Sequence, residues 1–518
     1  MRAVRPPSAR AGWWITFALF TALGGLWAVS SPLMSVPDEP AHTIKAVALA
    51  HGQLAGRAVR VISDDPGNPG RLDTYFSVPR AYAELNLQRS CYNFSPHTPA
   101  GCAPSVGTDT TLVTAPSYTG TYPPLYYALV GWPSLVLSPY RALYAMRLCS
   151  VLASAALLAS AFASVRRLAP GGAGMAAVAL SVTPIVVFLM GSINPSGFEI
   201  AAALATWASV LDLLRRRGPV SARLAARVVI ATTCFAAARP LSPVFAVLAV
   251  ATVAAVAAGR ERLAELRHDR NAVVGGALIV AGLAASGGWI LWSKAYDSFA
   301  GIAQPGLTFT QALNHSVSLE PRHAQQMFGV FGWLDTRSPW GLVLPWLLAV
   351  GVLTVAALAL GTGRQRLVLA GWLAASVVIP LVAEADRAAR YGYIWQGRYT
   401  LPLGVGVTVL AGWIIATAPR APTRAVRLAA LVAVAGMAVG QLLAHGIALT
   451  RYIVAVPGRQ PFAYLGGGHW QPPLSPWLLF VGAVASAALY GAWLALVSGE
   501  RTAPADPGAV RPPSRPPS

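Results

Sequence analysis

A polytopic bundle of membrane-spanning α-helices is the fold class this sequence predicts, on three observations. Of its 518 residues, 55% are hydrophobic and 11% charged, with a mean hydropathy of +0.54. That is more apolar surface than a soluble globule can cover. The apolar residues gather into windows of about 20, the length needed to cross a bilayer. Between these windows the basic residues stand in short clusters, and those clusters fall on one side when successive windows are threaded back and forth.

Taken in order, the windows lie near 12–33, 142–165, 174–191, 196–214, 222–237, 241–258, 272–293, 341–361, 367–384, 400–418, 425–448 and 476–498. They predict about twelve spans, all α, because only internally hydrogen-bonded helices or closed barrels satisfy the backbone in lipid. The basic clusters are Arg2/Arg5/Arg10, Arg166/Arg167, Arg215/Arg216/Arg217 with Arg223 and Arg227, Arg260/Arg262/Arg267/Arg270, Arg364/Arg366 and Arg420/Arg424/Arg427. The positive-inside rule makes their side cytoplasmic and puts both termini inside. A formal net charge of +20 invites a nucleic-acid reading, but dispersed clusters form no basic face, so nucleic acid is not an expected partner.

The expected organisation is a cytoplasmic N-terminus (1–11), a transmembrane domain (12–498) and a disordered proline-rich cytoplasmic tail (499–518). Outer segments are expected at 34–141, 294–340, 385–399 and 449–475. The run 122–137 is short and contains Pro133, so it is expected in the outer interface and not across the membrane. The first apolar run is longer than the h-region of a signal peptide and is expected to stay as an anchor. Cys91 and Cys102 share the first outer segment, where an oxidising exterior permits a disulfide, whereas Cys149 and Cys234 fall in apolar windows as small packing residues.

Pro37-Asp38-Glu39-Pro40-Ala41-His42 follows the first apolar run. Two adjacent carboxylates at the mouth of a membrane helix are costly unless they meet water, a cation or a substrate. Both ionised, they repel, which raises one pKa or recruits a divalent cation, Mg or Mn, so Asp38 and Glu39 are candidates both for proton transfer and for metal binding. The structural alternative is capping, since Asp is a good N-cap and Pro suits the first helical turn. In a helix, His42 lies on the same face as Asp38, within reach of the carboxylates or of a diphosphate.

These residues belong to an ordered set: Tyr122-Pro123-Pro124-Leu125-Tyr126-Tyr127, Ser192-Ile193-Asn194-Pro195-Ser196-Gly197, Gly332-Trp333-Leu334-Asp335-Thr336 and Gln396-Gly397-Arg398-Tyr399 follow the first motif. From about residue 13 to about residue 450, the set resembles a bacterial membrane family catalogued as domain of unknown function 2142. More loosely, Asp38-Glu39 after a first helix, a large outer loop and about a dozen spans resemble the GT-C superfamily of membrane glycosyltransferases.

The GT-C resemblance implies transfer of a sugar from a polyprenyl-phosphate-linked donor to a cell-envelope glycan, lipid or exported protein, at the outer face of a bacterial cell membrane. In that reading Asp38, supported by Glu39, is the base or a ligand of a divalent cation. Arg390 and Arg398, with Gln396 and Tyr399 of the fifth motif, lie in or beside an outer loop that breaks the positive-inside pattern. They are candidates for the donor site, Arg398 first among them as a phosphate ligand. Arg239, in the turn Ala238-Arg239-Pro240, and His42 complete the candidate donor site, while Trp333 with Asp335 is an aromatic and carboxylate pair of the kind that holds a sugar ring. Glu199 is expected to pair with one of the arginines. The rival functions are a flippase for a lipid-linked saccharide and a noncatalytic scaffold of envelope assembly.

Overall fold

The structure, a computed structural model, describes residues 7–61, 71–298, 304–455 and 460–499. The expected disordered tail, apart from Gly499, and Arg2 and Arg5 of the first basic cluster lie outside the described residues.

Helix α1 (Ala9–Ser30) leads into α2 (Glu39–Ala50) and a sheet of β1 (Arg57–Val61), β2 (Arg71–Pro79) and β3 (Leu112–Ser117), with the one-turn helices α3 (Arg80–Ala83) and α4 (Asn86–Arg89) between the last two strands. Next come α5 (Leu125–Gly131), α6 (Pro139–Leu168), α7 (Gly172–Ser181), α8 (Pro184–Met190), α9 (Pro195–Arg215), α10 (Ala222–Ala236) and α11 (Ser242–Ala257). After α12 (Arg260–His268) and α13 (Arg270–Trp292), α14 (Phe309–Gly329) leads to a two-residue hairpin, β4 (Val330–Phe331) and β5 (Thr336–Arg337). The chain closes with α15 (Trp340–Leu360), α16 (Gly363–Tyr391), α17 (Gly397–Thr417), α18 (Thr423–Val454) and α19 (Pro476–Ser498).

Among the described residues nine helices are long and apolar enough to cross a membrane: α1, α6, α9, α13 and α15 to α19. The window 174–191 is a pair, α7 and α8, bent by 59° at its break, and counts as a tenth only if the pair is one span. The windows 222–237 and 241–258 become helices of 15 and 16 residues. Each is about 22–24 Å long, short of a hydrocarbon core of about 30 Å, because Arg239-Pro240 turns the chain early. The expected twelve crossings are therefore not all full-length helices. α9 is the central element, with 94% of its apolar window buried, whereas α13 and α15 bury 17% and 22% and present most of their apolar surface outward.

The first outer segment is not purely helical. β2 pairs antiparallel with β1 on one side and β3 on the other. Phe76 and Val78, two apart as a strand requires, turn inward and are buried with Ala115 in the core shared with α2. Cys91 and Cys102 are joined in a disulfide across the loop before β3. The run 122–137 forms α5 and a 3-10 turn at Trp132–Leu135, with Leu129, Trp132, Leu135 and Val136 exposed. It is far too short to cross.

The ends of the bundle differ. Arg166 donates to the Pro7 carbonyl, Arg167 pairs with Asp212, Arg262 donates to the Leu213 and Gly218 carbonyls and Arg364 to those of Ala255 and Ala258. The basic clusters thus meet at one end. α1, α9 and α17, of 21 or 22 residues each, run from there to the opposite end, where Glu39, Asn194 and Arg398 lie.

Candidate functional site

All five sequence motifs converge at that opposite end, around the start of α2. Asp38 occupies the N-cap position of α2, yet its side chain makes no capping bond, and its backbone is left-handed at φ 68°. For a residue other than glycine this conformation is sparsely populated, and it aims the carboxylate away from the helix. Tyr118 Oη donates to Asp38 Oδ1 at 2.8 Å and Arg398 Nη2 donates to Oδ2 at 2.6 Å. About a quarter of the Asp38 side chain (26%) still faces open space. Burial pushes its carboxyl up, but Arg398, the Tyr118 hydroxyl and Arg239 outweigh that and hold it below the usual carboxylate range.

Arg398 is brought here by the fifth motif. Gly397 opens α17 so close to α14 that a Cβ would stand 2.1 Å from the His323 carbonyl oxygen, and its N–H donates to Gln326 Oε1 at 2.7 Å. Arg398 is 4% exposed, and only its Nη2 is engaged, by Asp38 and by Tyr399 Oη at 3.1 Å. Its Nε and Nη1 are buried without a partner, as is Gln396 Oε1. A small cavity of about 10 Å³, lined by Pro37, Phe188, Leu334, Gln396 and Arg398 among others, adjoins them.

Arg239 reaches the same place from the turn between α10 and α11. Its guanidinium lies 4.1 Å from the centre of the Tyr399 ring, and that of Arg398 lies 5.1 Å away, so one aromatic ring keeps company with two cations. Arg239 bonds Ser196 Oγ at 3.3 Å and stands 3.6 Å from Glu199, whose other oxygen accepts from Ser242 at 2.6 Å. Glu199 is thus a charge partner for Arg239, as expected.

Glu39 is placed elsewhere. Successive residues at a helix start project about 100° apart, and Glu39 turns inward to a bidentate pair with Arg147, Nε–Oε1 at 2.7 Å and Nη2–Oε2 at 2.8 Å, both side chains fully buried. The Ile193 N–H adds a third bond to Oε1 at 3.1 Å. Arg147 spends its remaining donors on the Ala28, Ser31 and Pro32 carbonyls. Glu39 is a structural anchor, which corrects its expected part in the chemistry. The expected divalent cation finds no fitting donor set either: the Asp38 oxygens are held by Arg398 and Tyr118, those of Glu39 by Arg147, and among the described residues no three His, Cys, Asp or Glu side chains gather around a common point.

The other expected ligands divide. His42 is buried, with Nδ1 2.8 Å from Tyr127 Oη and its ring beside Tyr122 and Tyr127. Burial lowers its pKa to about 3, with Arg239 and Arg398 adding to the effect against the pull of Asp38. It is neutral, and bound to a tyrosine where a phosphate was expected. Trp333 donates to the Met34 carbonyl at 3.1 Å and carries the Arg89 guanidinium 4.0 Å over its ring, and Asp335 pairs with buried Arg451 at 3.0 Å. Arg451 also donates to the Tyr92, Ser95 and Thr98 carbonyls. Trp333 and Asp335 therefore brace the disulfide loop against α18 instead of facing a sugar. Arg390 is exposed over Tyr391 at the end of α16 and does not join the Asp38 group.

Asn194 caps α9 through the Ser196 N–H at 2.9 Å and donates to the Pro37 carbonyl at 2.8 Å, so the third motif holds the first in place. Sequence reasoning missed Tyr118 and Arg147. Nothing marks Tyr118 in the sequence, but Arg147, an ionisable residue inside an apolar window, was a signal for a buried partner.

Comparisons with known proteins give a family and structural likenesses. The family described as "Predicted membrane protein (DUF2142)" matches residues 20–407. No curated protein sequence matches. Among solved structures, ArnT from Cupriavidus metallidurans bound to undecaprenyl phosphate is similar over 94% of this chain and 77% of that one, at 13% identity and a TM-score of 0.43.

Proposed function

Starting from the fact that this chain belongs to the DUF2142 family of predicted membrane proteins, we propose that it is a GT-C-type glycosyltransferase. It moves a sugar from a polyprenyl-phosphate-linked donor to a cell-envelope glycan, lipid or exported protein. One observation carries this reading: a carboxylate excused from helix capping, Asp38, is paired with buried Arg398, which keeps two N–H-bearing nitrogens unpaired next to a small cavity, while half-buried Arg239 shares the Tyr399 ring with it.

A carboxylate is an acceptor of protons and a buried guanidinium is a receptor for phosphate. In the proposed step Asp38 takes the proton of the acceptor hydroxyl while that oxygen attacks the anomeric carbon. The bond from the anomeric carbon to the phosphate oxygen breaks with its electron pair on the oxygen, and the configuration inverts. Arg398 and Arg239 stabilise the negative charge that develops on the leaving phosphate. The site opens at the end away from the basic clusters, which by the positive-inside rule is the extracytoplasmic face of a bacterial plasma membrane, with both termini in the cytoplasm.

Native mass spectrometry of the purified protein, wild type against Arg398→Ala, tests donor binding through co-purified or added polyprenyl phosphate; the variant should lose the lipid. Asp38→Asn should lower transfer by about 10²–10⁴-fold while keeping donor binding. Unchanged turnover would point to a flippase, and no lipid bound to wild type, after adding it back, would point to a scaffold.

A further inference from the structure

The ion pair between Asp38 and Arg398 has a consequence for the order of events at the proposed donor site. As it stands, the base is masked: its Oδ2 is taken up by Arg398 Nη2 at 2.6 Å. The hold is single-pronged, one nitrogen to one oxygen, although a guanidinium presents a planar fork that suits two oxygens at once. The fork's other nitrogens, Nε and Nη1, are buried and unpartnered at the cavity that Pro37, Leu334 and Gln396 also line. At about 10 Å³ the cavity has room for about one water as it stands, so a phosphate has to widen it; once there it offers several oxygens to those donors and brings more negative charge than a carboxylate.

The local charges are balanced before any ligand enters. Arg398 faces Asp38, and Arg239 faces Glu199. An added phosphate makes the group net negative, and the carboxylate most easily dislodged is the one with part of its side chain open, Asp38 at 26%, not Glu199 at 3%. Asp38 would not be set adrift, because Tyr118 holds the other oxygen, Oδ1, at 2.8 Å. Burial and the neighbouring Asp38 push the Tyr118 hydroxyl well above its usual range, so it remains a donor. Released from Arg398, Oδ2 is oriented and free to accept a proton.

We propose that Asp38 and the donor phosphate are rivals for Arg398, so that the phosphate, on binding, unmasks Asp38 and the base is available only in a loaded site. The inference rests on the donor reading above. It makes Arg398 a switch as well as a ligand and imposes an order, donor before acceptor. It also makes a counterintuitive prediction: removing the charge of the base should improve binding of the phosphate.

The test is titration of the full-length protein in detergent with polyprenyl phosphate, read by native mass spectrometry, for wild type, Asp38→Asn and Asp38→Gly. Asn and Gly are the residues that best tolerate the left-handed backbone at position 38, so both variants keep the start of α2. If the masked form is the major one, removing the rival tightens the apparent affinity by the inverse of the competent fraction, about three- to tenfold for a site open one-third to one-tenth of the time. A parallel titration with inorganic phosphate tells a bare phosphate site from one that needs the lipid, and tightening with the lipid alone or with both ligands supports the rivalry. Equal or weaker binding by both variants overturns it, since Asp38 would then be indifferent to the phosphate or a support for Arg398. Absence of binding by wild type and variants alike overturns the donor reading together with the switch.

Discussion

Glu39 and Arg147 meet in a fully buried, two-pronged ion pair one residue away from the proposed base. Arg147 also gathers three carbonyls from the end of α1 and the segment after it. The pair is the pin on which the first motif turns, and breaking a buried pair by removing one partner leaves an uncompensated charge. Glu39→Gln and Arg147→Ala should each destabilise the protein by about 3–5 kcal/mol. Thermal unfolding in detergent checks this. Asp38→Asn, by contrast, should keep its melting temperature to within about 4 °C. Equal losses in both would mean that Asp38, too, is a structural residue.

If the protein is the proposed transferase, the pH dependence of transfer should separate the free from the donor-loaded state. In the free protein the Asp38 carboxyl is held low despite its burial, by Arg398, Tyr118 and Arg239. The acid limb of kcat/KM, which reports the free enzyme, should therefore lie below about pH 3.9, the ordinary Asp value. The limb of kcat, which reports the loaded state, should lie higher under the proposed rivalry, in which the phosphate takes Arg398 from Asp38. Tyr118→Phe removes one of the holds and should move both limbs upward. The sign for stability follows from the same shift. A depressed carboxylate stabilises the fold above its unfolded pKa, and that contribution disappears as pH falls through the lower folded value.

His42 should not titrate in the physiological range. With its pKa lowered to about 3 by burial and by the nearby arginines, its imidazole resonances in selectively labelled protein should stay constant from about pH 8 to about pH 5, the span in which an ordinary histidine changes charge. The unfolded chain takes up that proton near pH 6.5. His42 therefore costs stability progressively as pH drops below about 6.5 towards its folded pKa. His42→Asn should flatten that acid slope.

Transfer should survive chelation. In the free site the Asp38 and Glu39 oxygens are engaged by Arg398, Tyr118 and Arg147, and in the proposed mechanism Arg398 and Arg239 neutralise the phosphate in place of a cation. Treatment with EDTA should change the rate of the purified enzyme by less than about twofold, and loss of activity restored by Mg or Mn would contradict the two-arginine site.

Much of this molecule is legible along the chain. Apolar windows of membrane length, interrupted by arginines, determined a helical membrane bundle and most of its helix positions, because lipid demands about 20 apolar residues per crossing and an internally satisfied backbone. The windows put α10 and α11 on either side of the Arg239-Pro240 turn but counted each as a crossing although both are too short, and they gave no sign of the strand at Phe76 and Val78, because hydropathy counts apolar residues without weighing helix length against the bilayer or the period that orders them. The motifs, too, were visible as residue types, and Asp38, Arg398, Arg239 and Tyr399 do come together.

Only the tertiary structure divided the labour among them. Adjacent in sequence, Asp38 and Glu39 look equivalent, yet one is held by Tyr118 and Arg398 with part of its side chain open while the other is locked to Arg147. Trp333 and Asp335, promising as a sugar platform, turn out to carry the disulfide loop through Arg451. The reason is physical. Sequence specifies which groups carry charge, but the work of a buried charge is set by the partner that compensates it, and here those partners lie 108, 116 and 360 residues away along the chain.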